Sequence, residues 1–290
     1  MIKGLAITPP VIGRIAIGKV VEKNGKRLPE KDDAFTITTQ VQQRGEWILH
    51  PLHNKLLAEQ DGGKLRSIPV TLLFNDTDLN LRAEYSLFDR TTGRPVCVGN
   101  GEVARRSTQE GFKSIPCPGP QNCALGSELG CKPYGRLNVQ IEGQEDDLGS
   151  FMFRTTGYNS IRTLAARLQY LNAVSGGRAR HVPLSLKLRA KSTTQSHRAP
   201  VYYVDIVIRD GIDSKQALMQ AKELADQSGE YVEALEAAAR SGLSNGAFEE
   251  TEDEGIDVVE EFFPMTEDAH VSEASNVLTT METEGVLNFV

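Results

Sequence analysis

Two kinds of charge are missing from long stretches of this 290-residue chain: no Lys or Arg follows Arg240, and no Asp or Glu stands between Asp147 and Asp205. The formal net charge of −7 therefore hides a segregation. Residues 246–290 carry 13 acidic residues and no base, which leaves 32 basic against 26 acidic residues in the remainder, a body of net +6. A basic body joined to an acidic tail points toward a polyanionic partner. Other absences exclude whole classes. No run approaches the roughly 18 apolar residues that a membrane-spanning helix needs. The start, MIKGLAITPPVIGRIAIG, is broken by Gly, Pro and Arg before a signal-peptide core forms, so a cytoplasmic location without membrane association is expected. No Gly-rich loop ends in Lys-Ser or Lys-Thr and no Gly-x-Ser-x-Gly elbow occurs, so ATP chemistry and serine hydrolysis have no foothold. Cysteine is scarce, with four residues, which excludes a disulfide-dense scaffold.

What remains is ordinary globular usage, 39% apolar and 24% charged, enough for one large or two modest domains. The pattern predicts an α+β fold: a β-rich body with a cysteine-bound zinc loop and one packed helix, then C-terminal helices and a disordered acidic tail. Residues 1–96 read as strands with turns, one of them signalled by Asn24-Gly25, and WILHPLHNKLLAEQDGG reads as a short helix or loop. Residues 97–211 hold the cysteine segment and a basic α+β part that completes one body with 1–96. Ile161, Leu164, Ala165, Leu168, Leu171 and Val174 recur at three- and four-residue intervals after a cap at Asn159 or Ser160, a helix that stops at Gly176-Gly177. Residues 183–208 read as a hairpin with a mobile polar loop. Residues 212–243 are helical, with a break at Gly229. Residues 244–290 mix acids with isolated apolar islands, Val258-Val259, Phe262-Phe263 and a terminal VLNFV, too little apolar surface to offset ordering entropy.

All four cysteines, Cys97, Cys117, Cys123 and Cys131, fall within 35 residues, in a Gly/Pro-rich stretch with no periodicity of its own. Four soft thiolates in a tetrahedron suit a structural Zn²⁺ that organises such a loop. The irregular spacings leave an iron–sulfur cluster or unliganded thiols as alternatives, and His181 or His197 as a replacement for Cys97. His50 and His53, with Asp61, Asp76 and Asp78 nearby, form a second, weaker candidate, for a metal-dependent hydrolase. The chain is otherwise expected not to be an enzyme.

The acid-free stretch holds nine bases: Arg154, Arg162, Arg167, Arg178, Arg180, Lys187, Arg189, Lys191 and Arg198. At the chain's average, about eight acids would be expected there. Lys187, Arg189 and Lys191 alternate with apolar residues and so share one strand face. Phe151, Phe153, Tyr158, Tyr202 and Tyr203 interleave rings that can stack on bases while the cations neutralise phosphates, although more than half of them are expected to be core. Contact with DNA is the expected role of these bases together with Tyr158. A face for the acidic tail or for a partner protein is the alternative.

CKPYGRLNVQI after the clustered cysteines, the FRTTGYNSI element, the helix ending in a double glycine and the PLSLKLRA…VYYVDIVI pair resemble the recombination-directionality-factor-like proteins of phages and integrative elements. The start, ITPPVIGRIAIG, is similar as well, so the likeness covers roughly residues 1–210. The resemblance implies an accessory protein that binds a large serine integrase and redirects it from integration toward excision, with the cysteines holding zinc. It does not extend to the acidic tail. That tail, ending EGVLNFV, supports an alternative: a single-stranded-DNA-binding protein of replication or recombination whose tail competes with DNA for the basic surface.

Overall fold

A computed structural model describes residues 10–23, 26–108, 110–194, 196–228, 231–244 and 252–263. The turn at Asn24-Gly25, the helix break at Gly229 and the tail beyond Phe263, with its terminal VLNFV, lie outside them. In chain order the elements are β1 (Val11–Lys23), β2 (Lys26–Gln43), β3 (Glu46–Leu49), α1 (Pro51–Ala58), β4 (Ser67–Thr71), α2 (Thr77–Asn80), β5 (Leu81–Phe88), β6 (Pro95–Gly99), β7 (Val103–Thr108) and β8 (Gly111–Pro116). They continue with α3 (Ala124–Leu129), β9 (Lys132–Ile141), β10 (Ser150–Thr155), α4 (Tyr158–Val174), β11 (Leu184–Ser192), β12 (Pro200–Ile208), α5 (Ser214–Ser228), α6 (Tyr231–Ser244) and α7 (Glu252–Phe262). The fold is α+β, built on extensive β-sheet. Among the described residues no helix is long and apolar enough to cross a membrane.

The elements gather into two compact units, residues up to 84 with 133–253, and residues 85–132 with those from 254 onward. Composition divides the chain at 96, 211 and 243, with residues 1–211 as one body. In the first unit the strand order is β3–β2–β1–β10–β9. β1 and β10 run parallel, with Ile15 opposite Phe153, and the other neighbours run antiparallel. The end of β9 pairs with β4, which continues into β11 and β12. The core is the apolar side of these strands, with Phe35, Ile37, Ile68, Val70, Leu137, Phe151, Phe153, Leu184 and Leu186 all within 2% of full burial. At about 25 cal/mol per Å² removed from water, this apolar layer is the main term holding the unit together.

α4 buries Ile161, Leu164, Leu168 and Leu171, the three leucines in that core, as the spacing predicts, and the chain turns out of it through Gly176 and Gly177, both at positive φ. Its start differs from expectation. The first residue is Tyr158 and the cap position is Gly157, with no side-chain cap. Ser160 does not cap because its buried Oγ accepts the Val204 amide of β12 at 3.1 Å, a tertiary bond that holds the helix to the hairpin. The hairpin register is regular from Leu184↔Ile208 to Ser192↔Pro200, and its connecting loop is closed by turn bonds between Thr193 and Ser196.

The second unit is an antiparallel meander, the end of β5 followed by β6, β7 and β8, with α3 and α7. The cysteine segment, a Gly/Pro-rich loop without periodicity in the sequence, contributes three strands and a helix. The acidic segment is expected to be largely disordered from residue 244; within its described part α7 forms, and Val258, Val259 and Phe263 are buried to 7% exposure or less. Those islands find apolar partners distant in sequence, notably Phe88, whose ring centroid lies 4.9 Å from that of Phe263.

Candidate metal centre and basic face

The second unit brings the four cysteines to one cavity, also lined by Tyr85, Leu87, Gly99, Ala104, Arg106, Leu125 and Gly126. Cys97 sits on β6 opposite Leu87 on one side and Arg106 on the other. Cys117 follows β8, its amide held by the Glu102 carbonyl at 2.8 Å. Cys123 and Cys131 flank α3: the Cys123 carbonyl accepts the Ser127 amide, and Gly130, at φ +82°, turns the chain so that the Cys131 amide reaches the Gly126 carbonyl at 2.9 Å. The glycines keep the cavity open. A Cβ on Gly99 would stand 2.8 Å from Cys117 Sγ, and one on Gly126 would stand 3.2 and 3.3 Å from the Cβ atoms of Cys123 and Cys131.

Burial, and then the neighbouring thiols Cys97, Cys117 and Cys123, push Cys131 up to about 12. Cys97 is raised chiefly by burial, against the lowering effect of Arg106. Arg106 Nη2 lies 4.0 Å from Cys123 Sγ, so a cation lines the cavity beside the four thiols. Nothing in the sequence singled out Arg106, one of two adjacent arginines in an exposed strand. Among the described residues no three His, Cys, Asp or Glu side chains already stand close enough to hold a metal ion. Four thiols lining a glycine-cleared cavity are a donor set whose chemistry fits a soft cation. Cys97 lines the cavity with the other three cysteines, whereas His181 is bonded to Ser228 Oγ at 3.2 Å and His197 lies in the β11–β12 loop.

The other proposed ligand pair is spent on the backbone. His50 caps α1, its Nδ1 accepting the Leu52 amide at 3.2 Å, and His53 Nδ1 accepts the Ile37 amide at 3.3 Å. His50 also stands edge-on to Phe151. Asp76 caps α2 through the Asp78 amide and pairs with Arg240. These are the bonds of a folded scaffold and they bring no acid–base constellation together. Burial holds His50, His53 and His181 below the ordinary imidazole value. The folded chain thus favours the neutral rings, and the unfolded chain binds protons first. Stability is complete above the ordinary value of about 6.5 and is lost as pH falls through it toward the depressed folded values. Melting temperature should accordingly hold between pH 8 and 7 and decline from 6.5 to 5.5. Asn at position 50 keeps a capping acceptor without a proton to gain and should shed its part of that slope. A flat profile would mean that burial does not hold these imidazoles below their unfolded value.

The basic stretch is placed in the first unit. Lys187, Arg189 and Lys191 share a face of β11, as their alternation predicts, opposite Asp205, Tyr203 and Val201 of β12. Much of the charge is engaged internally. Lys187 Nζ donates to Asp210 at 2.6 Å, and Lys191 Nζ donates to Asn159 at 2.6 Å and lies 5.9 Å from the Tyr203 ring centroid. Arg178 donates to the Ser175 and Gly176 carbonyls at the end of α4, and the Arg180 amide is fixed by Asn75. Arg162 and Arg198 are exposed, and Arg154 is half-buried. Of the rings proposed to stack on bases, Phe151 and Phe153 are core, Tyr202 and Tyr203 half-buried, and Tyr158 is 61% exposed.

The residue that sequence reasoning missed is Asp205. Its carboxylate, 3% exposed, accepts Arg167 Nε at 3.1 Å and Arg189 Nε at 2.6 Å. Its position as the first acid after the acid-free run, inside the apolar strand VYYVDIVI, was a usable signal, because an acid in a buried strand needs a cationic partner. No curated protein matches the chain, and no solved structure matches it. The Gp3-like family, described as recombination directionality factor-like, matches residues 12–209, from β1 through the cysteine unit to just past the end of the basic hairpin. With more than two thirds of its length matched, the chain belongs to the recombination directionality factor-like family.

Proposed function

We propose that the protein is a non-enzymatic accessory factor of a phage or mobile element that binds a large serine integrase, turns it from integration toward excision, and contacts DNA beside it. The family match across residues 12–209 carries this reading, because it takes in the cysteine unit and the basic hairpin together. Cys97, Cys117, Cys123 and Cys131 would hold Zn²⁺. Bound there, zinc supplies a closed cross-link between the β6–β8 meander and α3 rather than a site for chemistry. Arg106 offsets part of the charge of four thiolates, and Gly99 and Gly126 leave room for them. DNA contact falls to the acid-free face of α4 and the β11–β12 hairpin, where exposed cations exchange phosphate counterions for protein charge.

The test is recombination by the purified serine integrase of the same element on paired integration and excision substrates. Adding this protein should suppress integration and permit excision, and the two proteins should co-purify. Unchanged recombination in both directions, with no complex, would refute the directionality role.

A further inference from the structure

We infer that Arg167 of α4 and Arg189 of β11 form a preorganised seat for a phosphodiester group of nucleic acid, with Asp205 as the positioning residue beneath them; this rests on the DNA contact proposed above. Each arginine gives its Nε–H to Asp205, at 3.1 and 2.6 Å, and Arg167 Nη2 adds a longer contact at 3.4 Å. The carboxylate is buried, at 3% exposure, while the two guanidinium side chains remain 47% and 45% exposed. The acid therefore sits under the two forks and leaves outward N–H groups free to donate. A guanidinium whose orientation is already fixed gives up less freedom when it engages a phosphate, and its planar fork matches two phosphate oxygens.

The surroundings suit an anion. The next cation along the same strand face is Lys191, exposed and tied to Asn159 at the start of α4, beside exposed Tyr158. The exposed carboxylate of Asp210 engages Lys187 instead. Two arginines above one carboxylate leave a net positive seat, and a polynucleotide strand presents phosphates in series to the seat and Lys191 together.

Removing the arginines alone would strand a buried carboxylate and destabilise the hairpin for that reason, so the decisive variant neutralises all three: Arg167→Gln with Arg189→Gln and Asp205→Asn. Its net change is the loss of one positive charge, and Lys222→Gln, at an exposed position of α5, is the control of equal charge. Binding of labelled single-stranded and duplex oligonucleotides to the full chain is measured across 50–300 mM salt. The triple variant should bind roughly tenfold more weakly at 100 mM, and its log–log salt slope should be shallower by about 0.7–0.9, the worth of one phosphate contact. Lys222→Gln should stay within twofold of wild type. Wild-type-like binding and slope in the triple variant, or an equal loss in the control, overturns the seat while DNA contact stands. Absence of binding by the wild type to either oligonucleotide overturns both.

Discussion

Stripping zinc from the protein with a strong chelator is expected to unfold residues 85–132 while the first unit keeps its structure. The reason lies in how little that unit buries. β7 and β8 contribute one buried side chain between them, Ala104, and the remaining apolar burial comes from Leu87, Phe88, Leu125 and α7. A unit of this size rarely holds together on its core alone. A closed tetrathiolate site supplies apparent folding free energy on the order of 10 kcal/mol at neutral pH, enough to decide the outcome. The thiols add a pH signature. Cys131 is pushed up to about 12 and Cys97 is raised, so without an ion both hold their protons at neutral pH. Metal uptake must release those protons, and zinc affinity should fall steeply as the medium is acidified. Serine at Cys117, Cys123 or Cys131 should abolish stoichiometric zinc, and serine at Cys97 should do the same if the fourth ligand is this strand residue. Elemental analysis, proton release in weak buffer and thermal melting read these outcomes. A metal-free preparation with an unchanged melting curve would refute the site.

The parts of the fold that sequence revealed are those whose burial repeats at short range. α4 showed itself because Ile161, Leu164, Leu168 and Leu171 return to one face every three or four residues, and β11–β12 because Leu184 and Leu186 alternate with polar neighbours. The strands of the cysteine unit were hidden because they are exposed: β8 has no buried residue, and a strand without a buried face leaves no period to read. The candidate sites divide in the same way. Four cysteines crowded into one segment announce a cluster, and a run without acids announces a basic face. How that face is organised is non-local, since Asp205 meets Arg167 and Arg189 across 38 and 16 residues. Charge counting weighs every base in the stretch alike, whereas the structure commits Lys187 and Arg178 to internal partners and leaves two guanidiniums aimed by a buried acid.

Helix α7 offers the second large effect, because it docks through contacts that tolerate no change of volume. Phe263, 5% exposed, packs on Phe88, and the Lys132 ammonium lies 4.7 Å from its ring centroid. Truncating a buried Phe to Ala costs about 3–5 kcal/mol, so Phe263→Ala should detach the end of α7 and expose the acidic segment to protease. A complementary variant tests the other side of the contact. Gly255 meets Gly93 backbone to backbone: a Cβ on Gly255 would stand 2.3 Å from the Gly93 carbonyl oxygen, and one on Gly93 would stand 2.4 Å from the Ile256 nitrogen. Alanine at 255 gains up to about 1 kcal/mol in helix propensity. It also drives a methyl into backbone that cannot rotate away, an overpacking cost of about 1–3 kcal/mol or more. The collision should outweigh the propensity, and Gly255→Ala should lower the melting temperature of the second unit. Gly93→Ala should lower it further, since φ there is +68° and a side chain adds left-handed strain to the clash. Faster amide exchange across 254–263 in each variant is the accompanying readout. A higher melting temperature in Gly255→Ala would show that α7 stands off from the β5–β6 turn. In that case the acidic segment would join the cysteine unit through the side chains of Val258, Val259 and Phe263 without the backbone contact.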